Sequence, residues 1–373
     1  MTKALEETFQ QTMSAQRGET VGARLDAQRG IGPGFDTLRL FAATLVLLSH
    51  AFSLTDSAEP VSRLSNGQTA AGPLGVAVFF VISGFLISAS FDRSHGISEF
   101  AGRRALRIMP GLICVVLLTA CVFGPLLSTL GVESYFRHPE FHRYFLNIVF
   151  KSENTLPGTF VTNPHPEVNG SLWTLKYEVL CYCTIAMLLS LKLTESLNIR
   201  ILMVVALIGA LAQQLHALYR IETVENGLYR VLLTNVGNMI VLFAYFAIGA
   251  AIYLGRHRLP LNIGLAIGLA AITLVASALG VLSLLLPFAI GYLVIVFGLM
   301  KLRFAARVTR GDYSYGLYVW AFPVQQTIIQ LLPDYAFWWV NIAFALPLTL
   351  VFAAASWHCI ERPALGLIRR PAK

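Results

Sequence analysis

The chain has 373 residues, 56% of them hydrophobic and only 13% charged, with a mean hydropathy of +0.65. Soluble globular domains carry about a quarter charged residues, so this composition excludes a soluble fold and points to a polytopic membrane protein. The formal net charge of +8 is explained by where the basic residues fall, without a nucleic-acid partner.

The first 35 residues are polar and include Gln10, Gln11, Ser14, Gln16, Gly18, Gly30, Gly32 and Gly34. They lack the basic-then-apolar order of a secretory signal, and their composition predicts a flexible cytoplasmic tail over 1–35. Beyond them, apolar stretches near the ~20 residues that cross a bilayer recur at about 37–55, 73–91, 106–129, 172–191, 198–215, 229–254, 261–279, 281–300, 314–332 and 337–358. This pattern predicts an all-α bundle of about ten transmembrane helices. It forms one membrane domain over 36–363, followed by a basic tail over 364–373. With the N-terminus inside, 21 of the 28 lysines and arginines fall on inside segments and 6 on outside ones, and Lys176 lies within a span. Basic residues favour the cytoplasmic side, so both termini are expected there.

The first span carries Arg39 at its start and His50 near its far end. Eleven residues separate them, close to three helical turns, so both project from one face about 16 Å apart along the axis. Ionisable residues inside a membrane are costly and mark function by default. The spacing suggests an enzyme that grips a charged donor at one surface and works on it within the bilayer. Arg39 also suits a positive-inside anchor, and Asp36 suits a helix cap paired with it. Ser83-Gly84 in the second span is a small-residue pair suited to close helix packing.

Arg104 and Arg107 are expected to open the third span on one helical face. They suit either a positive-inside cluster or a clamp for phosphate oxygens, to which the guanidinium fork is matched. The outside loop of about 130–171 is the longest polar connection, and is able to lie over the bundle and shape an acceptor site. Glu178 follows it, seven residues into the fourth span, and is placed near the outer side, orienting a hydroxyl or a neighbouring cation, or held in an ion pair. The five cysteines, Cys114, Cys121, Cys181, Cys183 and Cys359, lie in apolar segments without metal-ligand spacing and are expected to be small core residues. No metal site is expected.

Four blocks follow in order. They are Phe35-Asp36-Thr37-Leu38-Arg39 leading to His50; Gly75 to Ile87, followed by Arg103-Arg104-Ala105-Leu106-Arg107-Ile108-Met109-Pro110; Gly170 to Glu178; and Ser314 to Trp320 with Glu361-Arg362-Pro363. Together they resemble the acyltransferase 3 family of integral membrane proteins, over nearly the whole chain. The resemblance implies an O-acyltransferase of the bacterial cytoplasmic membrane. It would move an acyl group, acetyl foremost, from an acyl-coenzyme A donor to a hydroxyl of a cell-surface or secreted glycan or glycolipid, with no tightly bound cofactor. The family's Arg-x10-His pair falls on Arg39 and His50, its Arg-x-x-Arg on Arg104 and Arg107, and its Ser-Leu-Trp-x-Leu-x-x-Glu block ends at Glu178. Arg39, His50 and Glu178 are the expected catalytic residues, and Arg104 and Arg107 the expected donor-binding ones. Ala321 follows Trp320 where many members have His, so the chemistry rests on His50, as a general base or a transient acyl acceptor. The rival is a transporter of a lipid-linked sugar or other solute, with His50 and Glu178 lining a polar path.

Overall fold

The computed structural model describes residues 19–28, 30, 32–219, 227–300 and 311–367, with the backbone alone for 216–219 and 227–235. Among these residues the chain is helical, with no β-strand. Among the described residues, ten helices overlap the expected apolar stretches in order: α1 Phe35–Leu54, α2 Ala71–Asp92, α3 Ile97–Leu118, α4 Leu175–Ser190, α5 Glu195–Tyr219, α6 Gly227–Leu254, α7 Ile263–Ala278, α8 Leu282–Gly298, α9 Ser314–Leu331 and α10 Trp338–Ser356. A π-helical turn at Thr119–Phe123 and the helix Gly124–Leu127 extend α3, and Trp357–Glu361 and Arg362–Gly366 extend α10 in the same way. Among the described residues, seven helices are long and apolar enough to cross a membrane, while α7 and α8 are apolar but shorter. Their surfaces expose Phe41, Leu117, Met187, Leu207, Leu274 and Val351. Apolar area on this scale needs lipid to cover it, and the protein is a multi-pass membrane protein.

The third span differs from its expected bounds in a way that matters for the site. Its helix begins at Ile97, nine residues before the expected start, because the polar turns Ser98, Glu99, Arg103 and Arg104 are already helical. Arg104 and Arg107 therefore sit two to three turns inside the helix, about 10–15 Å from its start. The basic stretch 301–310 lies outside the described residues.

Packing divides the chain into two units. The first comprises the described residues within 1–38, 77–89 and 187–306. Here α2 and α6 meet through glycines. A Cβ at Gly84 would fall 2.0 Å from the Phe246 carbonyl oxygen, and one at Gly249 would fall 2.1 Å from that of Val81. This is the close approach anticipated from Ser83-Gly84.

The expected flexible tail is corrected over residues 19–28. Thr20 caps a helix at Val21–Ala27 by accepting from the Ala23 amide. The Val21 and Gly22 amides donate to the Leu259 and Arg256 carbonyls, and Gln28 Nε2 donates to the Leu299 carbonyl at 2.9 Å. Val21 and Leu25, one turn apart, are buried. Two apolar residues on one helical face suffice to dock a short helix despite its polar surroundings.

The second unit comprises 39–76, 90–186 and the described residues of 307–373. Its long connection between α3 and α4 is tied to α9. The Gln326 amide donates to the His165 and Glu167 carbonyls and accepts from Asn163 Nδ2 at 2.8 Å. Asn169 donates to the Val319 carbonyl, and the Tyr318 hydroxyl bonds both Thr174 and the Ser171 carbonyl. Asn169 is 1% exposed, since its amide is the tie. Three cysteines differ from expectation: Cys181 is buried and Cys114 half-buried, but Cys121, Cys183 and Cys359 lie on helix surfaces, and all five are free thiols.

Candidate functional site

All five predicted site residues lie in the second unit. They form two groups.

The first group surrounds His50, on the same helix as Arg39. The imidazole meets the Phe322 ring edge-on at 5.0 Å between centroids. Its Nδ1 is buried and has no hydrogen-bond partner among the described residues. One turn earlier, the Leu47 carbonyl accepts from Gln325 Nε2 at 2.9 Å. The same amide nitrogen donates to Asn341 Oδ1, and Asn341 Nδ2 returns a bond to the Gln325 carbonyl. Both amides are essentially fully buried, at 0% and 1% exposure. A carbonyl already used in the α1 ladder thus takes a second donor, and this fixes the turn that carries His50 against α9 and α10. The sequence reading missed Gln325 and Asn341. The available signal was amides within apolar spans, Gln325, Gln326 and Gln330 in α9 and Asn341 in α10, a polar cost that demands partners.

The second group is ionic and centres on Asp312, also missed. Asp312 lies just before α9, where its carboxylate accepts from the Ser314 hydroxyl at 2.5 Å and from the Ser314 amide at 3.3 Å. It pairs with Arg107 by a charge-assisted hydrogen bond and with Arg39 at 3.5 Å. Burial pushes this carboxyl up, but the two guanidiniums and Ser314 outweigh it and hold Asp312 at about 2, against an ordinary 3.8. The start of α9 is seated on α3 because Gly111 leaves room: a Cβ there would fall 2.6 Å from the Tyr315 ring. That lets the Tyr315 hydroxyl donate to the Ile108 carbonyl at 2.8 Å.

Two more carboxylates border this cluster. Glu361 is 2% exposed and ends the π-helical turn after α10. Its Oε1 accepts from the Ser356 hydroxyl at 2.8 Å, its Oε2 is buried without a hydrogen-bond partner, and it lies within electrostatic reach of Arg107. Glu178 accepts from the Tyr182 hydroxyl one turn further along α4. Sequence reasoning placed Glu178 towards the outer side. The structure places it within electrostatic reach of Arg104, which Tyr182, Arg39 and Arg107 also approach.

The arrangement is therefore an imidazole with a bare buried nitrogen, joined by one continuous helix to a cluster of three arginines and three carboxylates. A polar assembly of this kind suits transfer chemistry on a substrate with a charged end. Comparison with known proteins decides the class. The acyltransferase-domain model of the acyltransferase 3 family matches residues 33–359. The chain belongs to the acyltransferase 3 family. The chain is 30% identical over 349 residues to an O-acetyl transferase of Shigella phage Sf6, covering 88% of this chain and 94% of that one. It is also 30% identical over 356 residues to nodulation protein 10 of Rhizobium leguminosarum bv. viciae, covering 89% and 93%. A shorter match, 36% identical over 102 residues, covers 25% of this chain and 15% of the O-acetyltransferase OatA of Staphylococcus aureus. No solved structure matches. The protein is an O-acyltransferase enzyme of the membrane.

Proposed function

We propose that the protein transfers an acetyl group from acetyl-coenzyme A to a hydroxyl of a cell-surface or secreted glycan or glycolipid, at the bacterial cytoplasmic membrane. All ten helices would span, with both termini cytoplasmic. The observation that carries this reading is the continuity of α1. One rigid helix holds Arg39 in the ionic cluster and His50 among apolar rings, about 16 Å apart.

In this reading the donor's phosphates approach from the cytoplasm and meet the guanidiniums of the Arg39, Arg104 and Arg107 cluster, where multidentate hydrogen bonding to an anion is strong. The slim pantetheine arm runs between helices, and the thioester carbon arrives at His50. The acceptor hydroxyl gives its proton to the imidazole as its oxygen attacks that carbon. The carbon–sulfur bond then breaks, and the coenzyme A thiolate leaves and regains the proton. The Gln325–Asn341 strut fixes the turn of α1 that presents the imidazole. Glu178 with Tyr182 orients Arg104. The connection over 130–171, bonded along α9 by Gln326 and Asn169, shapes the acceptor's approach.

The test uses purified full-length protein, isotope-labelled acetyl-coenzyme A and polysaccharide fractions of the host. Label recovered as an alkali-labile ester on one fraction, with release of coenzyme A, is the expected result. Neither transfer nor hydrolysis of acetyl-coenzyme A in any fraction would overturn the reading in favour of transport without chemistry.

A further inference from the structure

We propose that Gln325 is a positioning residue that fixes the tautomer of His50: its side-chain oxygen accepts the imidazole Nδ1 proton in the reacting complex, and imidazole Nε2 is left as the base. The inference rests on the general-base reading above and deepens it. Gln325 then does more than hold the turn of α1.

Two buried side-chain atoms at this site are bare, and they are complementary. His50 Nδ1 and Gln325 Oε1 are both enclosed without a hydrogen-bond partner among the described residues. An imidazole nitrogen can carry a proton and donate it, whereas an amide oxygen only accepts. Helix geometry brings the two together. Phe322 and Gln325 lie one turn apart on α9, and they meet His50 and Leu47, one turn apart on α1. Helical side chains lean back over the preceding turn, so the imidazole leans toward the Leu47 carbonyl, on which the Gln325 amide sits.

The amide is held in one orientation. Gln325 Nε2 donates to the Leu47 carbonyl and to Asn341 Oδ1, each at 2.9 Å, and Asn341 Nδ2 donates to the Gln325 backbone carbonyl at 3.0 Å. Backbone carbonyls accept and never donate, so turning either amide over would set oxygen against oxygen. Gln325 Oε1 is therefore an acceptor that needs a donor, and His50 Nδ1 can supply one. His50 as a whole is only partly buried although its Nδ1 is enclosed, so the accessible edge of the ring is the one that carries Nε2. A proton on Nδ1 leaves the Nε2 lone pair at that edge, where the acceptor hydroxyl arrives. When imidazole Nε2 takes the hydroxyl proton, the ring holds a proton on each nitrogen. The bond from Nδ1 to Gln325 Oε1 then steadies the imidazolium until Nε2 returns its proton to the coenzyme A thiolate. The bond is unmade in the resting protein, as catalytic hydrogen bonds often are before substrate arrives, and a turn of the ring closes it.

The experiment records nitrogen NMR of histidine-labelled full-length protein in detergent, with coenzyme A present, alongside turnover and thermal stability of each variant. The His50 signals are identified by their loss in His50→Ala. In wild type the proton is expected on Nδ1. Gln325→Met keeps the bulk and loses the acceptor, so part of the proton population is expected to move to Nε2 and turnover to fall about tenfold. Gln325→Glu separates the tautomer from the strut. A carboxyl offers Nδ1 an acceptor oxygen whether or not it is ionised, but it gives up at least one of the two bonds that Gln325 Nε2 donates. This variant is expected to keep the proton on Nδ1 and to turn over several-fold faster than Gln325→Met. The proposal is overturned by a wild-type proton on Nε2, by an unmoved proton in Gln325→Met, or by equal turnover in the two variants, which would make the strut the whole role of Gln325. The wild-type spectrum tests the tautomer even where a variant fails to fold. Absence of both transfer and hydrolysis in wild type would instead overturn acetyl transfer, and the same spectrum would still place the proton.

Discussion

At Asp312 the second unit gathers two arginines on one carboxylate, whereas at Gln325 it joins three helices with neutral amides. Both sites bury polar atoms among apolar helices, and both leave some of them unsatisfied beside the satisfied ones: Arg104 Nε and Glu361 Oε2 at the ionic site, His50 Nδ1 and Gln325 Oε1 at the amide site. The difference lies in what each chemistry is good for. A charge network is strong, responds to pH and anions, and is costly to break on one side only. An amide network is weaker, indifferent to pH, and specific in direction. The ionic site therefore suits a ligand that arrives charged, and the amide site suits holding an imidazole still while uncharged groups react. Breaking either should produce a different failure.

The largest effect is expected at His50. His50→Ala should lower acetyl transfer by about 10²- to 10⁴-fold, the usual cost of losing a positioned base, with insertion and coenzyme A affinity unchanged because the ionic cluster does not contain it. Transfer near the wild-type rate in that variant would dissolve the contrast between a site that binds and a site that reacts.

The ionic site should show itself in acid. The folded Asp312 carboxyl sits at about 2, below its ordinary 3.8. A depressed carboxyl contributes stability that is fully present above the unfolded value and is lost as pH falls through the folded one. The window is therefore pH 4 down to 2, and the gap corresponds to roughly 2 kcal/mol. Thermal unfolding in detergent across that window should show the loss in wild type and a flatter profile in Asp312→Asn. Equal slopes in the two proteins would mean that the arginines do not hold this carboxylate.

How much of the fold and site is legible in the sequence depends on how each residue announces itself. His50 and Arg39 stand out because ionisable side chains in an apolar run have no cheap explanation. The order of the helices is legible for a related reason, since bilayer thickness sets their length. Asp312 is not, because it follows the basic stretch 301–310 and precedes the span, where a carboxylate looks like an ordinary surface residue. Its partners are 205 residues away for Arg107 and further for Arg39, and no local pattern reports such a pairing. Glu178 is identifiable as a carboxylate in an apolar run, but its neighbour Arg104 is not, because the two lie on different helices and no local pattern reports their approach. Gln325 and Asn341 escape notice because counting charges ignores amides, although a buried amide carries the same demand for a partner. The π-helical turns at Thr119–Phe123 and Trp357–Glu361 leave no signal in hydropathy, which is blind to one extra residue in a turn.

The smallest effect, and the sharpest test of the amide site, is Gln325→Leu. The substitution removes the donor to the Leu47 carbonyl and to Asn341 Oδ1 while keeping the apolar bulk of the side chain. The Leu47 carbonyl keeps its helical bond, so only Asn341 is left short, and the net cost should be about 1 kcal/mol. That cost should be the same at pH 4 and pH 8, unlike the loss at Asp312, because no proton is involved. Function should report more than stability does. Without the strut, the turn carrying His50 is free to shift against α9 and α10, and sub-ångström misplacement of a reacting group slows chemistry steeply. The turnover number should therefore fall while the donor KM holds. A raised donor KM with turnover intact would place Gln325 on the donor's path and not behind the imidazole.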